Sequence, residues 1–193
     1  MTMKTIVWDC DEVLANLREV VCNHVSPILG IHDNDWRNWM HYDLGLSHQF
    51  SQHQIHNALI RTEALELAAF DPEARRLLLY THLMGFKNII VTARGWHPYA
   101  NFITWDWLIT AGVNLYVEDV IVVPYGEDKY PVIAKLPNVK LYVDDLSYHC
   151  QLVKQYCRVP DIVLVDRPWN QTAEAFIRIT SMRDLIPILH KHI

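Results

Sequence analysis

The chain has 193 residues, of which 51% are hydrophobic and 20% charged, a composition that supports one globular core with room for a modest insertion. Its formal net charge of -5 and pI near 6.1 speak against a nucleic-acid duplex as main partner, because phosphate neutralisation needs a basic face. A small anionic substrate stays open, since a single site can be positive on an acidic protein.

Met1-Thr2-Met3-Lys4 runs straight into the first apolar run, with no signal peptide and no apolar stretch of bilayer length. A cytoplasmic location is therefore expected, with Cys10, Cys22, Cys150 and Cys157 as free thiols. Ile6 to Asp9 reads as a buried strand that ends on Asp9-Cys10-Asp11. From Leu14 to about Phe70 no strand pattern follows. Val20, Val21, His24, Val25 and Ile28 fall at helical spacing, as do Ile55, Leu59 and Ile60 and then Leu65 and Leu67. This predicts a helical insertion over 15–70, with 1–14 and 71–193 forming the main domain.

Pro72 opens a predicted helix over Glu73 to Met84, stopped by Gly85. Buried strands are predicted at Asn88 to Thr92, Val120 to Val123, Lys140 to Asp144 and Ile162 to Val165. Helices are predicted over Pro98 to Ala111 and Leu146 to Tyr156, with a short helical stretch over Tyr130 to Leu136. Ser181 and Asp184 have the spacing of a capping box for a last helix. Strands alternating with helices predict an α/β fold with a doubly wound, mainly parallel sheet. Such sheets bind ligands at the carboxyl ends of their strands, where Asp9, Thr92 and Asp144 are expected.

These residue types suit phosphoryl transfer through a covalent intermediate, which needs a nucleophile, an acid/base, a cation and donors to the phosphate. Asp9 could attack phosphorus while Asp11, alternating with it, is brought round to the leaving oxygen. Asp144 and Asp145 add anionic charge that Mg²⁺ would neutralise through oxygen ligands. Thr92, with the amides of Ala93 and Arg94, could bind phosphate oxygens. Lys129 is preferred over Lys135 as the phosphate ammonium, because it lies at a helix start near the sheet edge. Each element has a bland reading: a solvated turn, β-propensity at Thr92, a surface lysine, an N-cap at the Asp pair. Arg94 is open between contacting phosphate and pairing with a carboxylate. The order Asp-x-Asp, Thr, Lys, Asp-Asp, each at an equivalent sheet edge, favours the site.

In that order the chain resembles the haloacid dehalogenase (HAD) superfamily of phosphatases. The motifs match as Asp9-Cys10-Asp11-Glu12-Val13, Ile89-Ile90-Val91-Thr92-Ala93-Arg94, Lys129 and Val143-Asp144-Asp145. The resemblance implies that Asp9 is the nucleophile and Asp11 the general acid that later activates water. It implies Mg²⁺ held by Asp9, the Asp11 carbonyl and Asp144, with Asp145 as ligand or beside it. It also implies phosphate on Thr92 and Lys129, and a helical cap of C1 type in the insertion. A narrower resemblance is to the 5′(3′)-deoxyribonucleotidase family, through Asp9 to Asn16, Asp128-Lys129 and Asp166-Arg167-Pro168-Trp169-Asn170. Glu12 replaces that family's usual glycine and Asn16 its aspartate. Leu17 stands where an aromatic is common, and Glu127 near a position that is often basic.

The function so implied is Mg²⁺-dependent dephosphorylation of (deoxy)nucleoside monophosphates, by a monomer or homodimer with no duplex nucleic acid or membrane partner. A phosphatase for another small ester, such as a sugar phosphate, is the alternative, and a catalytically silent nucleotide-binding protein is another. Leu17, Trp39 and Trp169 are the candidate substrate contacts around the cap. Trp36, Trp39 and Phe50 suit cap core better than base stacking. His53 and His56, spaced i, i+3, could face a metal, but no third ligand is spaced to join them and a packed helix face is favoured.

Overall fold

The computed structural model describes residues 3–33 and 35–193. The chain opens with β1 (Lys4–Trp8), and a two-stranded antiparallel ribbon follows, β2 (Ala15–Asn16) with β3 (Ala69–Phe70). Then come β4 (Phe86–Gly95), β5 (Asp119–Pro124), β6 (Val139–Asp144), β7 (Asp161–Val165) and β8 (Ile177–Ile179). These last five and β1 form one six-stranded sheet in the order β5-β4-β1-β6-β7-β8. All of its neighbours pair in parallel. The order reverses at β1, so the crevice of a doubly wound sheet opens where β1 and β6 end.

Residue alternation along β1 explains why it lies at the centre. Ile6 and Trp8 face one layer and Thr5 and Val7 the other, all fully buried. On the second face Val7 joins Ile89, Val91, Tyr142 and Val153. On the first face Ile6 and Trp8 join Val13, Leu77, Leu78 and Leu108, and the same core runs on into Val21, Val25, Ile55 and Leu59 of the insertion. Asn88, buried in β4, fixes that face: its Oδ1 accepts from Trp8 Nε1 at 3.0 Å and Thr81 Oγ1 at 2.9 Å, and its Nδ2 donates to the carbonyls of Leu78 and Tyr116. All of its side-chain polar groups are thus satisfied where an orphan would be costly.

The predicted helices occur over Pro72–Leu83, Ala100–Thr110 and Ser147–Tyr156, and the Ser181–Asp184 capping box forms before Ile186–His190. Asp71 caps the first of these, accepting from the amides of Glu73 and Ala74 with Pro72 at the first helical position. Four expectations need correction. Pro98 lies in a turn, and its helix starts at Ala100. The stretch after Lys129 is helical only over Tyr130–Ile133. The segment from Leu14 to Phe70 does hold strands, β2 and β3, too short to carry an apolar pattern; β8 is also absent from the predicted set.

Between β2 and β3 the chain is helical. Leu17–Val20, the π-turn Val21–Val25 and Ser26–Leu29 run on as one rod, closed by Gly30 at φ 70°. Leu44–His48, Gln52–Arg61 and Ala64–Leu67 follow. Asp71 N–H donates to the Leu14 carbonyl at 2.8 Å, so the two chain crossings into the insertion are bonded together. Among the described residues no helix is long and apolar enough to cross a membrane, and all four cysteines are free thiols.

Candidate active site

Asp9 follows β1 directly, and Asp144 is the last residue of β6, the strand beside it. Parallel pairing therefore brings their carboxylates to one edge. With Asp145 they place ligand oxygens within 4.8 Å of one another, all buried. Lys129, at the start of Tyr130–Ile133, reaches in from the β5–β6 connection. Its Nζ lies 2.7 Å from Asp9 Oδ1 and 2.8 Å from Asp144 Oδ2. Lys129 is 1% exposed, while Lys135 is on the surface.

The electrostatics of this cluster are unbalanced. Two buried carboxylates pair with one buried ammonium, and a third, Asp145, lies beside them. Burial pushes Asp9 well above the usual carboxylate range, against the pull of Lys129 and with the repulsion of Asp144 and Asp145. Burial and Asp144 push Asp145 up to about 7. Burial also acts on Asp144, but Lys129, His149 and the Tyr142 hydroxyl outweigh it and hold this carboxyl low. Burial lowers Lys129, yet Asp144 and Asp9 raise it above its ordinary value.

Hydrogen bonding separates the two acids of the second pair. Asp144 Oδ2 accepts from Lys129 and the Tyr142 hydroxyl, and its Oδ1 from the Leu146 amide at 2.7 Å. Asp145 Oδ2 accepts from Trp169 Nε1 at 2.8 Å, but its Oδ1 is buried with no partner. Asp144 is thus satisfied by the protein, whereas Asp145 offers an oxygen.

Asp11 lines the cavity but its carboxyl is turned onto Arg94: Nε donates at 3.0 Å to Oδ2, and Nη2 lies 2.5 Å from Oδ1. Of the two alternatives for Arg94, the structure shows the carboxylate pairing: its donors face Asp11 and, through Nη1 at 3.0 Å, Thr104 Oγ1. Thr92 is fully buried and its Oγ1 has no partner, while Ala93 is exposed at the cavity wall. β4 does not end at Thr92 as expected. It continues to Gly95, with its register against β5 broken between the two. Only glycine fits there, since a Cβ on Gly95 would lie 2.1 Å from the Val123 carbonyl oxygen.

A cavity of about 290 Å³ lies between this edge and the insertion. Leu17, Val21, Leu44, Ile55 and Leu59 give it an apolar wall, and Asp9, Asp11 and Lys129 its polar floor. His56 of the insertion stacks on Trp96 of the sheet side at 4.6 Å with planes 8° apart, and meets the Tyr125 ring edge-on at 5.4 Å. Leu17 is thus at the cavity as expected, but the two tryptophans are not among its lining residues. Trp39 is buried inside the insertion, its ring edge-on to His48. Trp169 is held by its bond to Asp145 and by the rings of Trp36 and Tyr42.

His53 and His56 take up no metal-binding arrangement among the described residues: His53 lies beside Asn57 and His56 against Trp96. His56, Trp96 and Tyr125 form a wall that sequence patterning does not single out. They lie up to 69 positions apart in the chain and meet only through the fold, although Trp96, just past Ala93-Arg94-Gly95, is placed beside the edge.

No protein-family model matches the sequence, and no curated protein matches it either. Solved structures do match in shape. A predicted phosphatase from Clostridium acetobutylicum superposes with a TM-score of 0.74 at 12% identity, over 99% of this chain and 100% of that one. L-2-haloacid dehalogenase from Xanthobacter autotrophicus, solved with chloropropionic acid covalently bound, gives 0.66 at 14% identity over 98% and 99%. A HAD-superfamily hydrolase from Geobacter sulfurreducens gives 0.63 at 17% identity over 97% and 96%. Identities this low speak for shape and not for reaction, and these proteins include both a predicted phosphatase and a dehalogenase. The six-stranded parallel sheet with its helical layers is the fold of the haloacid dehalogenase hydrolases.

Proposed function

We propose that the chain is a Mg²⁺-dependent phosphomonoesterase that carries the phosphoryl group on Asp9. The observation that supports it most is the Asp9–Lys129–Asp144–Asp145 cluster at the floor of the cavity between the sheet edge and the insertion. An Asp9 oxygen attacks phosphorus, the ester P–O bond breaks, and the leaving oxygen takes a proton from Asp11. Asp11 then takes a proton from water, which attacks the phosphoaspartate and frees inorganic phosphate. Arg94 fixes the Asp11 carboxyl at the cavity wall. The unpartnered Thr92 hydroxyl and the Lys129 ammonium suit phosphate oxygens.

The donor set fits a divalent cation: clustered buried carboxylates in excess of their one ammonium, and a buried Asp145 oxygen without partner. Asp9 and Asp145 would hold it, with the Asp11 carbonyl that the resemblance implies, and Asp144 would position Lys129. Mg²⁺ held by these residues would neutralise charge on the transferring oxygens. The helical insertion serves as the cap over 15–70, and the protein acts in the cytoplasm.

The apolar wall with the Trp96–His56 stack supports a leaving group with a flat, weakly polar part, so (deoxy)nucleoside monophosphates are the proposed substrates. One observation favours another small ester: Trp169, in the segment that resembles the deoxyribonucleotidases, does not line the cavity. Phosphate release from a panel of nucleotides and sugar phosphates, with Mg²⁺ and with EDTA, decides. The nucleotide reading expects the highest kcat/KM on a nucleotide and no turnover in EDTA. A panel led by a sugar phosphate selects the other ester, and binding without any release would sink the phosphatase.

A further inference from the structure

Glu12 is an acidic side chain where the backbone favours none. Its φ of 62° lies in the left-handed region, which costs a residue with a Cβ about 1 kcal/mol or more. Its carboxyl is also buried, at 3% exposure for the residue, and burial pushes it up to about 7. A non-glycine residue persists in this state only where the surroundings hold it there.

Two arginines from opposite sides supply that hold. The Arg18 amide, at the start of the insertion's first helix, donates to Glu12 Oε1 at 2.5 Å. Arg167, in the loop after β7, donates through Nη2 to the Glu12 carbonyl, and its Nε, otherwise without partner, stands 3.7 Å from Oε2. The Arg18 guanidinium donates to the Tyr42 carbonyl and lies among three rings, 4.8 Å from Trp169, 5.3 Å from Tyr42 and 5.9 Å from Trp39. Arg18 is itself 6% exposed, so its charge is buried too. Glycine at position 12 would relieve the backbone but leave the Arg18 amide without its acceptor and the half-buried Arg167 guanidinium without its nearby carboxylate.

We propose that Glu12 is a positioning residue that clamps the start of the helical insertion onto the loop after β7 and so holds the insertion over Asp9. The clamp ends at the site itself, because Trp169, stacked under Arg18, donates to Asp145. The inference rests on the phosphatase reading only for its kinetic readout.

The test compares Glu12→Gly and Glu12→Gln with the parent by amide hydrogen exchange, thermal melting and steady-state kinetics. In Glu12→Gly, exchange should quicken about five-fold or more over residues 17–25 and 36–44, with β4 and β6 unchanged. Its melting temperature should stay within a few degrees, the relieved φ offsetting the lost contacts. Glu12→Gln keeps an acceptor for the Arg18 amide and should fall between. On a phosphate ester, KM should rise more than kcat falls. Unchanged exchange over 17–25 and 36–44 in both variants overturns the clamp, as does quickening spread evenly over the sheet. If Glu12→Gly does not fold, Glu12→Gln carries the same decision. If no phosphate ester is turned over, the phosphatase reading falls and the exchange result decides the clamp by itself.

Discussion

Asp9 follows β1, and Thr92 and Asp144 lie in the parallel strands β4 and β6 on either side of it, whereas Leu17, Tyr42 and His56 come from a helical insertion joined to the sheet by a ribbon of two two-residue strands. At the edge, position along a strand dictates where a side chain points. In the insertion, each side chain is placed by what packs against it: His56 by Trp96, Arg18 by three rings, Trp39 by His48. On the proposed function, the strand ends carry the chemistry and the insertion the selection. If this division is right, edge substitutions act on kcat and metal binding, and insertion substitutions on KM.

The largest effect is expected at Asp9. Asp9→Asn keeps size but removes the nucleophile, and kcat should fall about 10³-fold or more at unchanged fold by circular dichroism. Near-parental turnover would break the edge side of the comparison. Lys129→Met comes next, because it strips the ammonium from carboxylates that are buried around it. Removing one partner of such a cluster costs about 3–5 kcal/mol, read as a lower melting temperature. Mg²⁺ should restore part of that loss in the variant and raise it less in the parent. A melting temperature insensitive to both changes would show that the cluster carries no excess charge.

The edge was legible in the sequence because a buried parallel strand is a nearly continuous apolar run, so Ile6 to Asp9 and Lys140 to Asp144 stand out with their acids at the end. The ribbon Ala15–Asn16 with Ala69–Phe70 and the strand Ile177–Ile179 are too short for any period to register. Residue roles were less legible than positions. Which acid of Asp144-Asp145 keeps an unpartnered oxygen depends on Tyr142, the Leu146 amide and Trp169, and nothing local reports the last of these. Arg94 faces Asp11 because Thr104 and Trp107 of a neighbouring helix hold its other side. Glu12 was visible as a departure from glycine, but its left-handed backbone and its arginines are tertiary facts.

Trp169 joins the two regions and separates them experimentally. Trp169→Phe keeps a ring beneath Arg18 and removes the Nε1–H that donates to Asp145. A lost hydrogen bond to a ligating carboxylate weakens metal binding about ten-fold, which titration calorimetry with Mg²⁺ would read. Hydrogen exchange in the insertion should stay at the parental rate. Loosening of the insertion with unaltered Mg²⁺ affinity would instead place Trp169 wholly on the packing side.

The smallest effect tests the sheet edge from behind. His149, on Ser147–Tyr156, is largely buried with Nδ1 unpartnered, and burial lowers its pKa to about 4 despite Asp144 nearby. The unfolded chain holds this proton below about 6.5, so it binds more protons than the folded chain between about 6.5 and 4. The stability tied to neutral His149 is therefore complete above that window and is lost as pH falls through it. For this largely buried group, the amount is about 1–2 kcal/mol at pH 5. His149→Gln should flatten the acid limb of melting temperature against pH, measured without divalent cation, whatever it does to the plateau. A limb equally steep in the variant would move the acid sensitivity off this helix and onto the other groups packed around the edge.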